Sequence, residues 1–194
     1  SADRHLIITK GAFGNVLGSC THLERDGKAV ALDEAERVRL ESWFGMQGAQ
    51  GLRLLALATR HVDARDAYSP ADETGMCLVG FLHFVDPPKA GAKATLHNLA
   101  ARGIRIKIVT GDNRHVAAHV AQSVGLDAKA LLTGEQINAM NDEALWHRAP
   151  KTTLFVEVDP QQKERIVRAL QHGGHAVGYL GDGINDETAL HAAD

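Results

Sequence analysis

The residues with the clearest chemical potential lie near the C-terminus, in the run Gly181–Asp186. The run holds two carboxylates, Asp182 and Asp186, and one amide, Asn185. It follows the apolar residues 176–180 and precedes a helical pattern, so we expect it at the C-terminal end of a buried parallel strand, where open α/β sheets bind ligands. Hard oxygen ligands at this density suit Mg²⁺. Because Asp, Asn and Gly are also common turn formers, the run alone leaves open a turn without chemistry.

Two further candidates carry phosphate-binding chemistry. At Thr110-Gly111-Asp112 an apolar strand ends in a hydroxyl, a glycine and a carboxylate. A threonine and free backbone N–H groups at such a junction can bind phosphate oxygens, although the same residues can form a helix cap alone. Lys163 stands in the first turn of a helix predicted after Pro160. A cation there is unfavourable for the helix dipole, and a bound phosphate would compensate for it; the alternative is an exposed lysine.

Weaker signals lie in the first half of the chain. Lys10-Gly11-Ala12 follows an apolar strand, and Arg53 stands in the apolar run 51–60. Taken alone, these residues are also typical of ordinary turns and strand edges.

The second half of the chain alternates between strand and helix patterns. Nearly continuous apolar runs predict strands at 76–84, 104–109, 153–158 and 175–180. Four-residue apolar spacing and a capping residue predict a helix at 113–124, and Pro160 with a buried apolar stripe predicts one at 160–172. We predict a shorter helix at 141–148. Such alternation indicates an α/β fold with a doubly wound parallel sheet of the Rossmann type.

The first half has a different pattern. We predict strands at 5–9 and 51–60, a short helix opening at Gly11-Ala12, and a helix over 33–48, which together resemble part of an α+β domain. Asp86-Pro87-Pro88 interrupts both strand and helix patterns, because two prolines fix φ and remove two donors. We therefore predict two domains, 1–85 and 86–194.

Composition excludes several classes of protein. The net charge of −3 gives no electrostatic basis for binding nucleic acid. The two cysteines lack the spacing of a zinc site or a disulfide framework. No apolar stretch approaches the roughly 20 residues that cross a bilayer, and we expect a soluble chain.

Together, the motifs resemble those of one family. The chain is similar to the cytoplasmic catalytic part of P-type cation-transporting ATPases, which are pumps of the haloacid-dehalogenase-like superfamily. The segments that carry the resemblance occur in family order and span nearly the whole chain: Lys10-Gly11-Ala12, Asp86-Pro87-Pro88-Lys89, Thr110-Gly111-Asp112, Asp159–Lys163 and Gly181–Asp186. Three further segments look most like the magnesium-transporting subgroup: Phe84–Lys89, Thr152–Phe155 and Lys163–Val167.

The resemblance implies a role for each candidate residue. In the first domain, a part of the nucleotide-binding domain, Lys10 and Gly11 would line the adenine pocket and Arg53 would contact the ATP phosphates. In the second, an incomplete phosphorylation domain, Thr110 and Gly111 would hold the transferring phosphoryl group. The remaining residues complete the implied site: Asp112 approaching the nucleotide, Lys163 neutralising charge, Asp182 and Asp186 at Mg²⁺, and Asn185 bonding phosphate or ligand.

Three features depart from the family pattern. The phosphorylated aspartate of an Asp-Lys-Thr-Gly-Thr segment is not present in the sequence, so we expect a fragment that is inactive by itself. Glu157 replaces an arginine and would repel a nucleotide phosphate if it pointed inward. Glu187-Thr188 replaces Ala-Pro, which removes the proline that would set the helix start.

The resemblance also implies partners and leaves two alternatives. The partners would be ATP and the remaining domains and membrane helices of the same polypeptide, at the cytoplasmic face of the cell membrane. A soluble phosphatase of the same superfamily is one alternative, although its Asp-x-Asp nucleophile strand is not visible in the sequence. The other is a nucleotide-binding module that no longer catalyses, for which Glu157 is the motivation.

Overall fold

The computed structural model describes residues 4–85, 87–181 and 183–194, with only the backbone of Ile184. The chain divides into two compact units, residues 1–86 and 87–194. The Asp86 of the proposed boundary and Asp182 of the acidic run lie outside the described residues.

The first unit is a five-stranded sheet with helices on one face. Its elements are β1 (Arg4–Ala12), α1 (Phe13–Ser19), β2 (Cys20–Arg25), β3 (Lys28–Ala31), α2 (Glu34–Ala49), β4 (Leu52–Asp63) and β5 (Met76–Val85). The strand order is β1-β4-β5-β2-β3, and every neighbouring pair is antiparallel except the parallel pair of β2 and β5. The strands predicted at 5–9 and 51–60 and the long helix are present, whereas the strand predicted at 76–84 in the parallel pattern of the second half is β5 of this mainly antiparallel sheet. The short helix begins at Phe13 rather than at Gly11, because β1 pairs with β4 as far as Ala12.

Alternation along β4 separates the two faces of this sheet. Leu54, Ala56 and Ala58 are buried against the helices, where Phe13 of α1 stacks on Phe44 of α2 with ring centroids 4.3 Å apart. The residues between them point to the opposite face, as the two-residue period of a strand requires. β2 and β3 are elements that the apolar pattern does not predict.

The second unit is a three-stranded parallel sheet between helices. Its elements are α3 (Ala92–Ala101), β6 (Ile108–Val109), α4 (Arg114–Ser123), β7 (Leu131–Thr133), α5 (Gly134–Asn138), α6 (Asp142–Arg148), β8 (Leu154–Val156), α7 (Pro160–His172) and α8 (Glu187–Ala192). The strand order is β6-β8-β7. Phe155 of central strand β8 packs in the cluster with α6 and α7, whereas Leu154 and Val156 pack with α4. Helices therefore cover both faces, which confirms the doubly wound α/β prediction.

One predicted strand of this unit is wrong and another is shorter than predicted. Residues 175–180 form no strand. Instead, the backbone N of Val177 donates to Asp194 Oδ2 at 2.8 Å, and the backbone N of Asp194 donates to Val177 O at 3.0 Å. An apolar run becomes a strand only when a neighbouring strand pairs with it, and no neighbour is present in the described part of the unit. The strand predicted over 104–109 is paired with β8 only at Ile108 and Val109.

Candidate functional site

Lys163 occupies the first turn of α7, and its ammonium group binds a carboxylate. Asp159 caps this helix in a reciprocal pair with Gln162: each backbone N–H donates to the other side chain, at 3.0 and 2.8 Å. Lys163 Nζ donates to Asp186 Oδ1 at 2.7 Å, and the two side chains are 11% and 13% exposed. A cation at the start of a helix is unfavourable for the helix dipole, and a charge shielded from water needs a partner. The Asp186 carboxylate compensates for both, because it neutralises the ammonium group.

Two neighbours restrict the Asp186 side chain further. The Tyr179 hydroxyl donates to the same Oδ1 at 3.0 Å. Burial, followed by the Asp186 carboxylate, raises the pKa of this hydroxyl above its ordinary value of 10.0, so Tyr179 stays a neutral donor. Gly181 lies so close that a Cβ there would be 2.6 Å from Asp186 Oδ2 and 2.7 Å from Asp186 Cβ. A glycine is therefore required for this placement of Asp186.

Thr110 lies at the end of β6 with its hydroxyl held in place. Its backbone continues the pairing with β8, through Thr110 N to Phe155 O at 2.9 Å and Val158 N to Thr110 O at 3.2 Å. Thr110 Oγ1 accepts from the backbone N of Asp112 at 3.0 Å. A hydroxyl can accept and donate at the same time. The Thr110 hydroxyl accepts from Asp112, and its proton can be donated to a further acceptor such as a phosphate oxygen.

These side chains meet in one open cleft of ≈ 480 Å³ in the second unit. The residues that line it are Val109, Thr110, Lys163, Tyr179, Leu180, Gly181 and Asp186. The structure thus brings together three of the residues singled out in the sequence: Thr110, Lys163 and Asp186. Gly111 and Asp112 follow Thr110 directly, Asn185 is exposed, and Asp182 lies outside the described residues.

Among the described residues, the cleft contains one hard oxygen ligand of the kind that Mg²⁺ prefers. Asp186 contributes a hard carboxylate, and the open cleft leaves room for water and phosphate oxygens, which Mg²⁺ retains in most protein sites. No cluster of three His, Cys, Asp or Glu side chains suited to a metal occurs among the described residues; Asp182, the other predicted ligand, is outside that set.

Glu157 forms an ion pair with Arg114 of the same unit. Its charge therefore has a partner within the protein. Its carboxylate accepts from Arg114 Nη2 at 2.9 Å and from Arg114 Nε at 3.0 Å. This pairing, more than the opposing effect of burial, lowers the pKa of Glu157 below its ordinary value of 4.5. The carboxylate is therefore charged at neutral pH but neutralised by Arg114. The other departure, Glu187-Thr188, coincides with the start of α8, and Thr188 Oγ1 donates to Pro160 O at 3.1 Å.

The two cationic candidates of the first unit, Lys10 and Arg53, lie on its helix-free sheet face. Lys10 pairs across strands with Leu57, and Arg53 lies four residues before Leu57 on β4, so the two cations share one face at roughly 13 Å along the strand. Arg53 pairs with Phe84, which is 47% exposed, and Ile8 on the same face is 62% exposed. This face combines two cations with an exposed apolar surface.

Gly11 points the other way. It pairs with the buried Ala56, and a Cβ on Gly11 would lie 3.4 Å from Val16 Cγ2 of α1. Strand alternation therefore places it on the helix side of the sheet, so that only its backbone could reach a ligand on the face that carries Lys10.

Sequence reasoning did not single out Tyr179. Its signal was a lone phenol within the apolar run 176–180, two residues before the glycine of the acidic run. A tyrosine that is partly buried usually finds a hydrogen-bond partner, and here that partner is Asp186.

Comparisons with known proteins agree with this architecture. The chain belongs to the haloacid dehalogenase-like hydrolase family, whose model matches residues 21–194. It is 41% identical over 195 residues to the Magnesium-transporting ATPase, P-type 1 of Escherichia coli, covering 100% of this chain and 22% of that protein. It is 43% identical over 191 residues to the protein of the same name from Salmonella typhimurium, covering 98% of this chain and 21% of the relative.

A more distant relative is also named as a cation-transporting ATPase. The chain is 34% identical over 192 residues to the Calcium-transporting ATPase type 2C member 1 of Homo sapiens, covering 97% of this chain and 20% of that protein. The chain thus spans about a fifth of the length of these relatives. Among its described helices, none has the length and apolar character needed to span a membrane.

Proposed function

We propose that the chain is the cytoplasmic catalytic part of an ATP-driven cation transporter of the P-type ATPase class, with Mg²⁺ as the transported ion and an aspartyl-phosphate as intermediate. The observation that carries the proposal is the convergence of Thr110, Lys163 and Asp186 in one cleft at the C-terminal edge of the parallel sheet. The similarity of the whole chain to magnesium-transporting P-type ATPases supports it independently.

In the second unit, the proposed work is to position and neutralise a phosphoryl group. The Thr110 hydroxyl and the backbone of Gly111 bind its oxygens, and Lys163 offsets its negative charge by exchanging Asp186 for the phosphoryl group. Asp182 and Asp186 would hold Mg²⁺, which supplies charge neutralisation when bound. Asn185 bonds the phosphoryl group or ligand, and Asp112 approaches the nucleotide. Phosphoryl transfer depends on such positioning and electrostatic stabilisation more than on covalent chemistry from these groups.

In the first unit, the proposed work is to bind ATP on the helix-free sheet face. Its exposed apolar surface, including Ile8 and Phe84, suits an adenine ring, while Lys10 and Arg53 supply the charges that phosphates require. Gly11 would contribute through its backbone.

The nucleophilic aspartate would enter the cleft on a strand from another part of the polypeptide. Among the described residues, β6 is an edge strand of its sheet, and the cleft that Val109 lines is also lined by Leu180, which ends the apolar run 176–180 and is 100% exposed. An extended apolar segment between the two would pair with both and deliver its carboxylate beside Thr110 and Lys163.

An NMR titration of the chain with ATP and Mg²⁺ tests the nucleotide half of the proposal. We expect shifts concentrated at Lys10 and Arg53, with weaker binding in Lys10→Met and unchanged binding in Lys28→Met, a change of an exposed lysine on β3. The absence of any shift there at millimolar nucleotide would contradict the proposal.

Two assays test the phosphoryl half. The chain alone should not hydrolyse p-nitrophenyl phosphate, and turnover would favour a soluble phosphatase. A longer protein that includes an Asp-Lys-Thr-Gly-Thr segment should incorporate phosphate from ATP in a form that hydroxylamine releases, and Lys163→Met should abolish the incorporation. Unchanged incorporation in that variant would remove Lys163 from the proposed site.

A further inference from the structure

Glu157 has an unusual backbone conformation. Its φ is 57°, in the left-handed region, and the other non-glycine residue with positive φ among those described is Asp26. Asp26 lies in the tight turn between β2 and β3 beside Gly27, where positive φ is normal. Glu157 instead follows a buried strand directly, and a non-glycine residue there costs about 1 kcal/mol or more. Surrounding contacts must hold it in this conformation.

The carboxylate of Glu157 is held by three donors of a single residue. Arg114 donates its backbone N to Oε1 at 3.1 Å, its Nε to Oε1 at 3.0 Å, and its Nη2 to Oε2 at 2.9 Å. Arg114 is the first residue of α4, so the carboxylate also satisfies an N–H group at the start of that helix.

The backbone of Glu157 contacts the segments that follow two other strands. Its N donates to Asp112 O at 3.0 Å, in the loop after β6. Its carbonyl oxygen packs against Gly134, after β7, so closely that any Cβ on Gly134 would collide with it and would lie 2.6 Å from Gln162 Oε1. Glu157 itself follows β8. One residue thus contacts the segments that follow the other two strands of the second unit's sheet, while itself following the third.

From these contacts we infer that Glu157 is a positioning residue. Together with Arg114 it fixes the Thr110–Asp112 loop relative to the start of α7, so that Thr110 and Lys163 contact the same phosphoryl group. That the ligand is a phosphoryl group rests on the proposed function, whereas the role of Glu157 in fixing the loop does not. The negative charge of Glu157 is neutralised by Arg114 instead of repelling a phosphate in the cleft.

Glu157→Gly is the most informative variant. It removes the carboxylate and also relieves the left-handed strain, because glycine adopts positive φ at little cost. We expect the unfolding midpoint of the second unit to stay near that of the unchanged protein. Backbone amide hydrogen exchange at Asp112 and Val158, whose N–H groups donate to Thr110, should nevertheless accelerate by about tenfold, the loss that corresponds to a charge-assisted bond.

The functional readout is the binding of inorganic phosphate with Mg²⁺, followed by NMR shifts at Thr110 and Lys163. We expect Glu157→Gly and Arg114→Met each to weaken binding by about tenfold, and the double variant to be no worse than either single one, because both changes break the same link. The control is Arg25→Met, which breaks a pair with Glu36 of similar length, 2.9 Å, and comparable exposure in the first unit.

The outcomes separate the inference from the proposed function. Loop exchange and phosphate binding in Glu157→Gly that match the unchanged protein would overturn the positioning role and leave the proposed function intact. Failure of the unchanged protein to bind phosphate would contradict the proposed function, and loop exchange would still decide whether Glu157 locks the loop. Additive effects of the two single changes would show that they do not act through one link.

Discussion

The two units bring their candidate residues together in different ways. In the second unit the parallel strands β6 and β8 end at one edge, which brings Thr110 close to the start of α7. The chain after α7 returns to the same cleft, where Asp186 contacts Lys163 although 23 positions separate them. In the first unit, Lys10 and Arg53 lie on one exposed face of mainly antiparallel strands, separated by about 13 Å along the strand, and strand register rather than converging loops sets their positions.

This difference predicts how each site responds to change. The residues of the cleft form an interlocked set in which Lys163, Tyr179 and Gly181 all contact Asp186, so altering one of them should cost stability as well as binding. Lys10 is exposed, and changing it should cost binding alone. The first unit has one tryptophan, Trp43, and the second has one, Trp146. In a Trp43→Phe background the fluorescence of Trp146 therefore follows the unfolding of the second unit, and in a Trp146→Phe background that of Trp43 follows the first.

Lys163→Met should have the largest effect on stability. It removes one partner of a pair that is mostly shielded from water, and breaking a buried pair in this way costs about 3–5 kcal/mol. Urea unfolding followed by Trp146 measures the loss, and Arg168→Met, which breaks the more exposed pair with Glu164 on the same helix, is the control. Equal losses in the two variants would show that the cleft is not interlocked.

Gly181→Ala should follow. Its Cβ would require Asp186 to move, because the new atom would lie 2.7 Å from Asp186 Cβ as well as close to the carboxylate. We expect a loss of about 2–3 kcal/mol, with the shifts of Lys163 and Tyr179 altered together. Gly178→Ala, in the same segment, is the matched control because its Cβ would have no atom within 4 Å; a similar cost there would refute the proposed crowding.

Lys107→Met tests whether any partly buried cation of the second unit behaves like Lys163. Its ammonium donates to Ala149 O at 3.0 Å, Pro150 O at 3.1 Å and Thr152 O at 2.5 Å, away from the residues that line the cleft. Losing these bonds should cost about 1–2 kcal/mol without changing phosphate-induced shifts. A change in those shifts would mean that stability and binding cannot be separated in this unit.

Lys10→Met should leave the stability of the first unit within about 0.5 kcal/mol, as is usual for exposed positions, while weakening ATP binding. Unfolding followed by Trp43 and an ATP titration measure the two quantities, with Lys28→Met as control. A large loss of stability would break the contrast between an open face and an interlocked cleft.

The smallest effect concerns acid pH. Arg114 lowers the pKa of Glu157 in the folded protein below its ordinary value of 4.5. The unfolded chain therefore takes up the proton first, so the contribution of Glu157 to stability is present above that ordinary value and is lost as pH falls through the folded pKa. Unfolding midpoints between neutral pH and pH 3 should decline less steeply in Glu157→Gln; identical slopes would show that the pair contributes nothing.

Much of the local structure could be predicted because it depends on neighbouring residues. The reciprocal cap of Asp159 and Gln162 and the apolar stripe with Ile166 and Leu170 define α7 within one short stretch. The run 175–180 has the composition of a buried strand, but strand formation depends on a neighbour that no local pattern describes. The apolar pattern indicated the doubly wound architecture. It missed β2 and β3, because their exposed and buried residues do not alternate regularly.

By itself, the sequence determined which groups could do chemistry and on which kind of element each stands, since residue types, caps and burial periods are properties of consecutive residues. Tertiary structure alone decided that Lys163 binds Asp186, that Tyr179 joins them, that Glu157 turns toward Arg114, and that Gly11 faces the helices. These contacts depend on strand order, register and backbone approach, which the packing of each whole unit sets.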